Sequence, residues 1–347
     1  MTADSDIICE RIGAAGVVTL NRPRALNALN LAMVRAMTPA LREWAGDPAV
    51  TRVVVRGAGD RAFCAGGDIR ALYDQGLAGD RESALAFWRE EYRLNAMIAR
   101  YPKPYVSLID GICMGGGVGL SLHGSHRVAG DRYLFAMPEV GIGFFPDVGA
   151  TYALPRLPGH AGLWLALTGD RVKAADAVAL GLATSRVSSS ALPALTDDLI
   201  AGRDVQAAIA ARAAPAEEGP LAAERSVIDR CFGGASVEET LARLDREASP
   251  FAAAAAATIR AKSPTSLKIA FEQMRRGAEL DFEAAIALEF RIVTRIIEGR
   301  DYYEGVRAVI IDKDNAPRWT PATLDGVSPA DVAAYFAPLG PNEWRAA

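Results

Sequence analysis

The chain has 347 residues, 50% of them hydrophobic and 23% charged, enough apolar material for one large core or a core with a smaller appendage. A formal net charge of −4 provides no general cationic field, which argues against nucleic acid and anionic membrane surfaces as partners. Cys9, Cys64, Cys113 and Cys231 are far apart and form no C-x-x-C pair, so neither a zinc site nor a disulfide framework is suggested, and reduced thiols in a cytosol are expected.

The stretch Met1 to Glu10 carries acidic residues and no apolar run, unlike a secretory signal or an Arg-rich transit peptide. No run of about 20 apolar residues suggests a membrane span. A soluble, cytoplasmic protein is the expectation. Through the first half, Gly16 to Leu20, Arg52 to Arg56 and Pro104 to Asp110 read as strands separated by helical patterns, an α/β alternation. Leu26 to Trp44 repeats apolar residues at helical spacing, and Glu82 to Arg100 does so with aromatics on one face. Gly115 to Gly119 opens a helix that runs to about Gly124, and Arg127 to Ala129 and Tyr133 to Met137 follow as short strands, so these glycines fall at a strand-to-helix turn. Past Leu180 Ala, Ser and Pro dominate, with a loop near Ala214 to Pro220. Two parts are expected: a catalytic domain over 1–200 and a helical C-terminal region over 201–347 packing on it. In the latter, Ser263-Pro264-Thr265-Ser266 predicts a helix start. Asp281 to Glu298 places Phe282, Ile286, Phe290, Val293 and Ile297 three to four apart, with Gly299 as a stop.

Two glycine-rich turns, Ala65-Gly66-Gly67-Asp68 and Gly115 to Gly119, could each let backbone approach a ligand or simply allow tight strand-to-helix packing. Facing each other, they would make an oxyanion hole from N–H groups left free at a helix start. Neither completes a dinucleotide or P-loop pattern. His123, His126 and His160 suggest no Ser-His-Asp order, and Ser121 lies outside any G-x-S-x-G elbow. Carboxylates remain. Glu139 and Asp147 lie eight residues apart in apolar sequence, where desolvation and proximity would push their pKa values apart for acid and base roles, or where each could cap a turn or pair with Arg156. Glu90-Glu91, on the aromatic helix, reads by itself as a solvated pair.

Asn21 to Leu29 (NRPRALNAL), Ala62 to Ile69 (AFCAGGDI), Lys103-Pro104 with Asp110-Gly111, and the Gly115 to Gly119 run occur in the order and spacing of the enoyl-CoA hydratase/isomerase (crotonase) superfamily, which residues 15–190 resemble. The resemblance implies an α/β fold, a spiral of repeated β-β-α units of the crotonase (ClpP-like) kind, with acyl-CoA lying across it. It also implies that the N–H groups of Gly67 and Gly116 polarise the thioester carbonyl, and that Arg24 and the backbone of Ala65, Asp68 and Ile69 hold the nucleotide end of coenzyme A.

Hydratases of the superfamily use two glutamates. Here the second is Glu139, but Gly119 stands where the first would be. Met114 to Gly119, Leu134 to Glu139 (LFAMPE), Gly143 to Gly149 (GFFPDVG), Leu154 to Leu157, Arg89 to Tyr92, Ser263 to Lys268 (SPTSLK) and Glu304 to Asp314 (EGVRAVIIDKD) instead closely resemble the 3-hydroxyisobutyryl-CoA hydrolase branch, over about residues 10–320. Val140 departs from it, where a Thr is familiar. That resemblance implies hydrolysis of a short branched 3-hydroxyacyl-CoA in valine breakdown. Glu139 would attack the carbonyl or activate water, Asp147 would hydrogen-bond the 3-hydroxyl and assist the leaving thiolate, and Glu91 would close the acyl pocket. It implies no metal or redox cofactor, and a trimer-based homo-oligomer. Two other readings stay open: a hydratase or isomerase of the same fold, which Gly119 disfavours, and a non-catalytic acyl-CoA-binding protein, against which Glu139 and Asp147 count.

Overall fold

The computed structural model describes residues 5–346, so the first four residues of the Met1 to Glu10 stretch lie outside the described residues. Ten strands occur among them: β1 (Ile7–Ile12), β2 (Ala15–Leu20), β3 (Arg52–Gly57), β4 (Ala62–Cys64), β5 (Tyr105–Ile109), β6 (Ile112–Met114), β7 (His126–Ala129), β8 (Leu134–Ala136), β9 (Val172–Lys173) and β10 (Ser185–Arg186). They form a six-stranded sheet ordered β1-β2-β3-β5-β7-β10 and a four-stranded sheet ordered β4-β6-β8-β9. Each successive pair, β3 with β4, β5 with β6 and β7 with β8, gives its first strand to the larger sheet and its second to the smaller. β2, β3, β5, β7 and β10 run parallel in sequence, as do β4 and β6. That advance of one β-β step per repeat is the spiral expected from the sequence. The hairpin partner β1 was not expected; its exposed Glu10 and Arg11 interrupt the apolar pattern by which a strand is read.

Two compact units interleave along the chain. The first comprises Met1–Asp68, Glu90–Phe135 and Arg171–Gly219, and the second Ile69–Arg89, Ala136–Asp170 and Pro220–Ala347, whereas the expected division was one cut near residue 200. In the first unit, Val17, Val54, Val106, Leu108 and Val128 of the larger sheet pack against Leu192, Leu195, Leu199 and Ile209 from the helices Leu192–Ile200 and Val205–Ala210. These strand side chains are buried and mostly β-branched, the composition of a parallel sheet with covered faces. β4 and β6 pair with an irregularity: Ala62 lies opposite Ile112 and Cys64 opposite Cys113, leaving Phe63 as an extra residue in β4, a bulge.

The predicted helix from Leu26 begins later, at Leu31–Gly46, capped by Asn30 Oδ1, which accepts the Met33 N–H at 2.9 Å. The reason lies in the preceding loop. Leu26 and Asn27 have φ of 51° and 57°, a conformation no helix continues through. Buried Asn27 donates to the carbonyls of Ala58 and Ala62, both at 2.9 Å, and accepts the Arg22 N–H at 2.9 Å. These side-chain bonds, one local and two to distant carbonyls, outcompete the helix and pin the loop against the β3–β4 connection.

The second unit is helical. Pro264–Gly277 starts as predicted, with Ser263 Oγ accepting the Ser266 N–H at 3.1 Å. Phe282–Ile296 is capped by Asp281 Oδ1 on the Ala284 N–H at 2.8 Å. Gly299 serves as the N-cap of the next helix, Arg300–Val306. No described helix is long and apolar enough to cross a membrane.

Candidate active site

In the first unit, parallel pairing of β4 with β6 brings the two glycine turns out side by side. Gly66 (φ 116°) and Gly115 (φ 45°) have backbone angles that side chains rarely permit. A Cβ at Gly116 would lie 2.7 Å from Glu91 Oε1 and 3.4 Å from the Gly67 nitrogen, so bare backbone is required where the turns and Glu91 meet. Gly116 opens the helix Gly116–Ser121, whose first amides have no intrahelical acceptor. Neither the Gly67 nor the Gly116 N–H donates to a protein acceptor among the described residues. Two adjacent, rigidly mounted donors of this kind can take an oxygen that gains negative charge.

Glu91 is 2% exposed, whereas Glu90 makes a two-point ion pair with Arg35, Nε to Oε2 at 2.9 Å and Nη2 to Oε1 at 2.6 Å. Successive helix residues point about 100° apart, so one of the pair faces the interior and the solvated-face reading holds for Glu90 alone. Of the residues expected at coenzyme A, Arg24 is exposed on the turn Pro23–Ala25, and Ala65 donates its N–H to Leu26 O at 3.0 Å, which ties that loop to the first glycine turn. Asp68 holds Arg22 at 2.9 Å, so its side chain serves the loop; Ile69, the first residue of the helix Ile69–Leu77, falls in the second unit.

Other nucleophiles in this unit are unsuited. Burial pushes the Cys64 and Cys113 thiols up to about 12, far from the thiolate range. Ser121 Oγ donates to Gly117 O at 2.8 Å inside its own helix. His126 contacts Ser125 Oγ and Gln206 Nε2, and among the described residues no carboxylate hydrogen-bonds to its ring.

The second unit carries the carboxylates. Glu139 begins a single turn of 3₁₀-helix, Glu139–Ile142, closed by left-handed Gly143 (φ 70°). It is 7% exposed, and its Oε2 is buried without a hydrogen-bond partner. Burial first, and the charge of Asp147 second, hold its carboxyl well above the usual range. Asp147, 5% exposed, is followed by Val148 (φ 54°) and Gly149 (φ 90°), two consecutive left-handed residues. Arg156 pairs with neither carboxylate; it donates to the carbonyls of Tyr152, Gly277, Ala278 and Leu280. Beside them Trp88 stacks on Phe144 with centroids 5.7 Å apart, and Tyr302 packs on Phe144 at 5.6 Å. The Tyr302 hydroxyl is buried without a partner, and burial, then Tyr303 and Asp147, push its pKa up.

A third carboxylate was not expected. Glu289, fully buried, accepts the Gly149 N–H on Oε2 at 2.8 Å and the Thr151 N–H on Oε1 at 2.9 Å. Burial and then Asp147 push its pKa up to about 8, against the pull of those amides. Gln273 Nε2 reaches Pro146 O at 2.5 Å and Thr151 Oγ1 at 2.6 Å. A sequence signal existed: a glutamate three residues after Ile286 and four before Val293, on an otherwise apolar stripe. Among the described residues no group of His, Cys, Asp and Glu is arranged to hold a metal ion.

A profile of the enoyl-CoA hydratase/isomerase family matches residues 15–336. The mitochondrial 3-hydroxyisobutyryl-CoA hydrolase of Danio rerio is 48% identical over 99% of this chain and 92% of its own length, and that of Homo sapiens 42% identical over 99% and 91%. Their stated location differs from the cytoplasmic expectation. A solved carnitinyl-CoA dehydratase from Mycobacterium thermoresistibile superposes with a TM-score of 0.94, 45% identity and 99% coverage of each chain. An enoyl-CoA hydratase from Rhodobacter sphaeroides gives 0.92 with 44% identity, covering 98% of this chain and 100% of its own. With the repeated β-β-α spiral and the paired glycine turns already seen, these matches establish that the chain belongs to the enoyl-CoA hydratase/isomerase family.

Proposed function

We propose that this enzyme hydrolyses a short 3-hydroxyacyl-CoA thioester, 3-hydroxyisobutyryl-CoA, to 3-hydroxyisobutyrate and coenzyme A, as in valine breakdown. The observation that carries the reading is the buried Glu139 carboxyl, with one oxygen unpartnered and its pKa held up beside Asp147. A carboxyl whose pKa is raised in this way is a better proton acceptor than an ordinary carboxylate. Support also comes from the curated relatives named above and from Gly119, which offers no second glutamate for addition of water across a double bond.

In the proposed reaction the thioester oxygen lies on the Gly67 and Gly116 amides, and each such donor is worth about 2.7–4 kcal/mol in a model case. Ionised Glu139 either takes a proton from water, whose oxygen adds to the carbonyl, or adds itself. In the first route the tetrahedral oxyanion collapses, the C–S bond breaks, and the thiolate leaves with a proton. In the second, collapse leaves a mixed anhydride on Glu139 that water then cleaves; mass spectrometry of acid-quenched enzyme would find that adduct only in this route. Asp147 bonds the 3-hydroxyl and helps pass to the thiolate the proton that Glu139 took from water in the first route, or a proton of solvent in the second; Glu91 closes the acyl pocket, and Arg24 with the Ala65, Asp68 and Ile69 backbone binds the nucleotide end. Coenzyme A is part of the substrate; no metal or other cofactor enters the reaction. The buried, free thiols fit any reducing compartment, cytosolic or mitochondrial. A trimer-based assembly is proposed and is measurable by light scattering.

A second reading, hydration or dehydration of an acyl-CoA, is favoured by the names of the two solved structures. Incubation with 3-hydroxyisobutyryl-CoA, following free thiol, and with crotonyl-CoA, following enoyl absorbance, separates the two. Thiol release with little loss of enoyl absorbance is expected; the opposite pattern makes the protein a hydratase.

A further inference from the structure

We propose that Glu289 and Gln273 are positioning residues that set Asp147 for the substrate by clamping the Pro146–Thr151 turn from both sides. The inference rests on the hydrolase reading, in which Asp147 recognises the 3-hydroxyl. The turn needs an external hold. Val148, a β-branched residue, sits at φ 54°, next to Gly149 at 90°, and such conformations persist only where the surroundings over-determine them. The hold brackets Asp147: Gln273 takes the carbonyl just before it, and Glu289 takes the amides two and four residues after it.

Packing alone does not account for Glu289. Its helix neighbours Leu288, Phe290, Ile292 and Val293 are buried and apolar, and the position lies on the same stripe. A fully buried carboxyl is costly there unless its bonds are used, and no ion pair to it is found among the described residues. What it bonds is the backbone of one turn, through both oxygens. A carboxyl can turn an oxygen to each of two N–H groups with any proton directed away from both, whereas a carboxamide would turn an NH₂ toward one of them. Asp147 raises the pKa of both Glu139 and Glu289, as a carboxylate held near the two would. Groups that fix the side chain doing chemistry, without touching the reacting atoms, typically carry effects of about 10–100-fold.

The test compares Glu289→Gln with wild type on 3-hydroxyisobutyryl-CoA and on isobutyryl-CoA, which lacks the hydroxyl. The expected result is a loss in kcat/KM of about 10–100-fold on the hydroxylated substrate and a fall in preference toward that of Asp147→Ala. The Asp147→Ala/Glu289→Gln double variant should lose less than about twofold beyond Asp147→Ala alone, because the two act as a unit. A merely structural glutamate would lower the folded fraction and leave the preference of the folded enzyme unchanged; that outcome, or losses that multiply in the double variant, overturns the proposal. Where Glu289→Gln yields no folded protein, Gln273→Met carries the same comparison, and unchanged preference there also overturns it. Hydrogen exchange separates this failure from that of the hydrolase reading. Faster exchange at the Gly149 and Thr151 amides in Glu289→Gln supports the clamp whether or not thiol is released, and unchanged exchange refutes it. A wild-type enzyme that releases no thiol refutes the hydrolase reading by itself.

Discussion

The glycine turns of the first unit and the carboxylates of the second reach function by opposite means. At Gly67 and Gly116 the useful groups are backbone amides, and the side chain has been removed so that backbone can come close. At Glu139, Asp147 and Glu289 the useful groups are side chains, carried into apolar surroundings at a cost and held by contacts from distant sequence. A site built of backbone is fixed by strand pairing and fails when something is added. A site built of buried charge is fixed by tertiary contacts, fails when something is taken away, and stores instability that loss of function releases.

The largest test of that contrast is Glu139→Gln. Turnover should fall by about 10³-fold or more, since the amide keeps the shape but neither attacks nor takes a proton, while calorimetric binding of acyl-CoA changes little. The same variant should be at least as stable as wild type in denaturant titration, because it removes a buried carboxyl whose ionisation its surroundings disfavour. Near-normal turnover removes Glu139 from the mechanism.

Next comes Gly116→Ala. The added Cβ, 2.7 Å from Glu91 Oε1, forces the turn or the glutamate to move, and kcat should drop by about 10²–10³-fold through loss of one donor. Adding Glu91→Ala opens the space and should recover stability and part of the rate, since the amide of residue 116 can then return to its place; an undiminished kcat in Gly116→Ala alone would remove this amide from the mechanism.

Asp147→Ala should have a smaller effect, about 10–100-fold, concentrated on the hydroxylated substrate, because a buried group built to pair with a hydroxyl penalises the analogue without one. If both acyl groups slow by a common factor, Asp147 serves the hydrolytic step and not recognition.

The smallest effect is on stability against pH. Glu289 holds its proton up to about 8 in the folded chain, against 4.5 for an ordinary glutamate, so between these values the native state binds more protons than the unfolded state. Stability therefore falls as pH rises through that window and levels off above it, a sign opposite to that of an ion-paired carboxylate. Denaturant midpoints from pH 4.5 to 9 give the slope directly, and Glu289→Gln should flatten it.

The same contrast explains what could be read from the chain alone. The α/β alternation was legible because buried parallel strands are short apolar runs, the spiral itself came only from the family resemblance, and the glycine turns were legible because a positive φ leaves a mark in residue type. Glu139 and Asp147 stood out as charges in apolar sequence, and the structure brings both within reach of each other's field. Glu91 was harder, since adjacent Glu90 shares its local pattern, and only the helix rotation separates a surface pair with Arg35 from a buried acid. The late start of the first long helix went unread because Asn27 bonds to carbonyls more than 30 residues away. Glu289 and Gln273 lie over 120 residues from the turn they hold, and local pattern carries no trace of what a side chain will meet at that separation.

The extra residue in β4 has a consequence for how such an enzyme can change length. Phe63 offsets the first glycine turn by one position against its neighbour, and a strand advances about 3.3 Å per residue. Deleting that residue would carry the Gly67 amide a full hydrogen-bond length out of place while leaving every glycine, glutamate and aspartate of the site in the chain. A scan by substitution would never find this dependence, and insertions tolerated elsewhere in the loops of the spiral should be lethal to activity in these few residues.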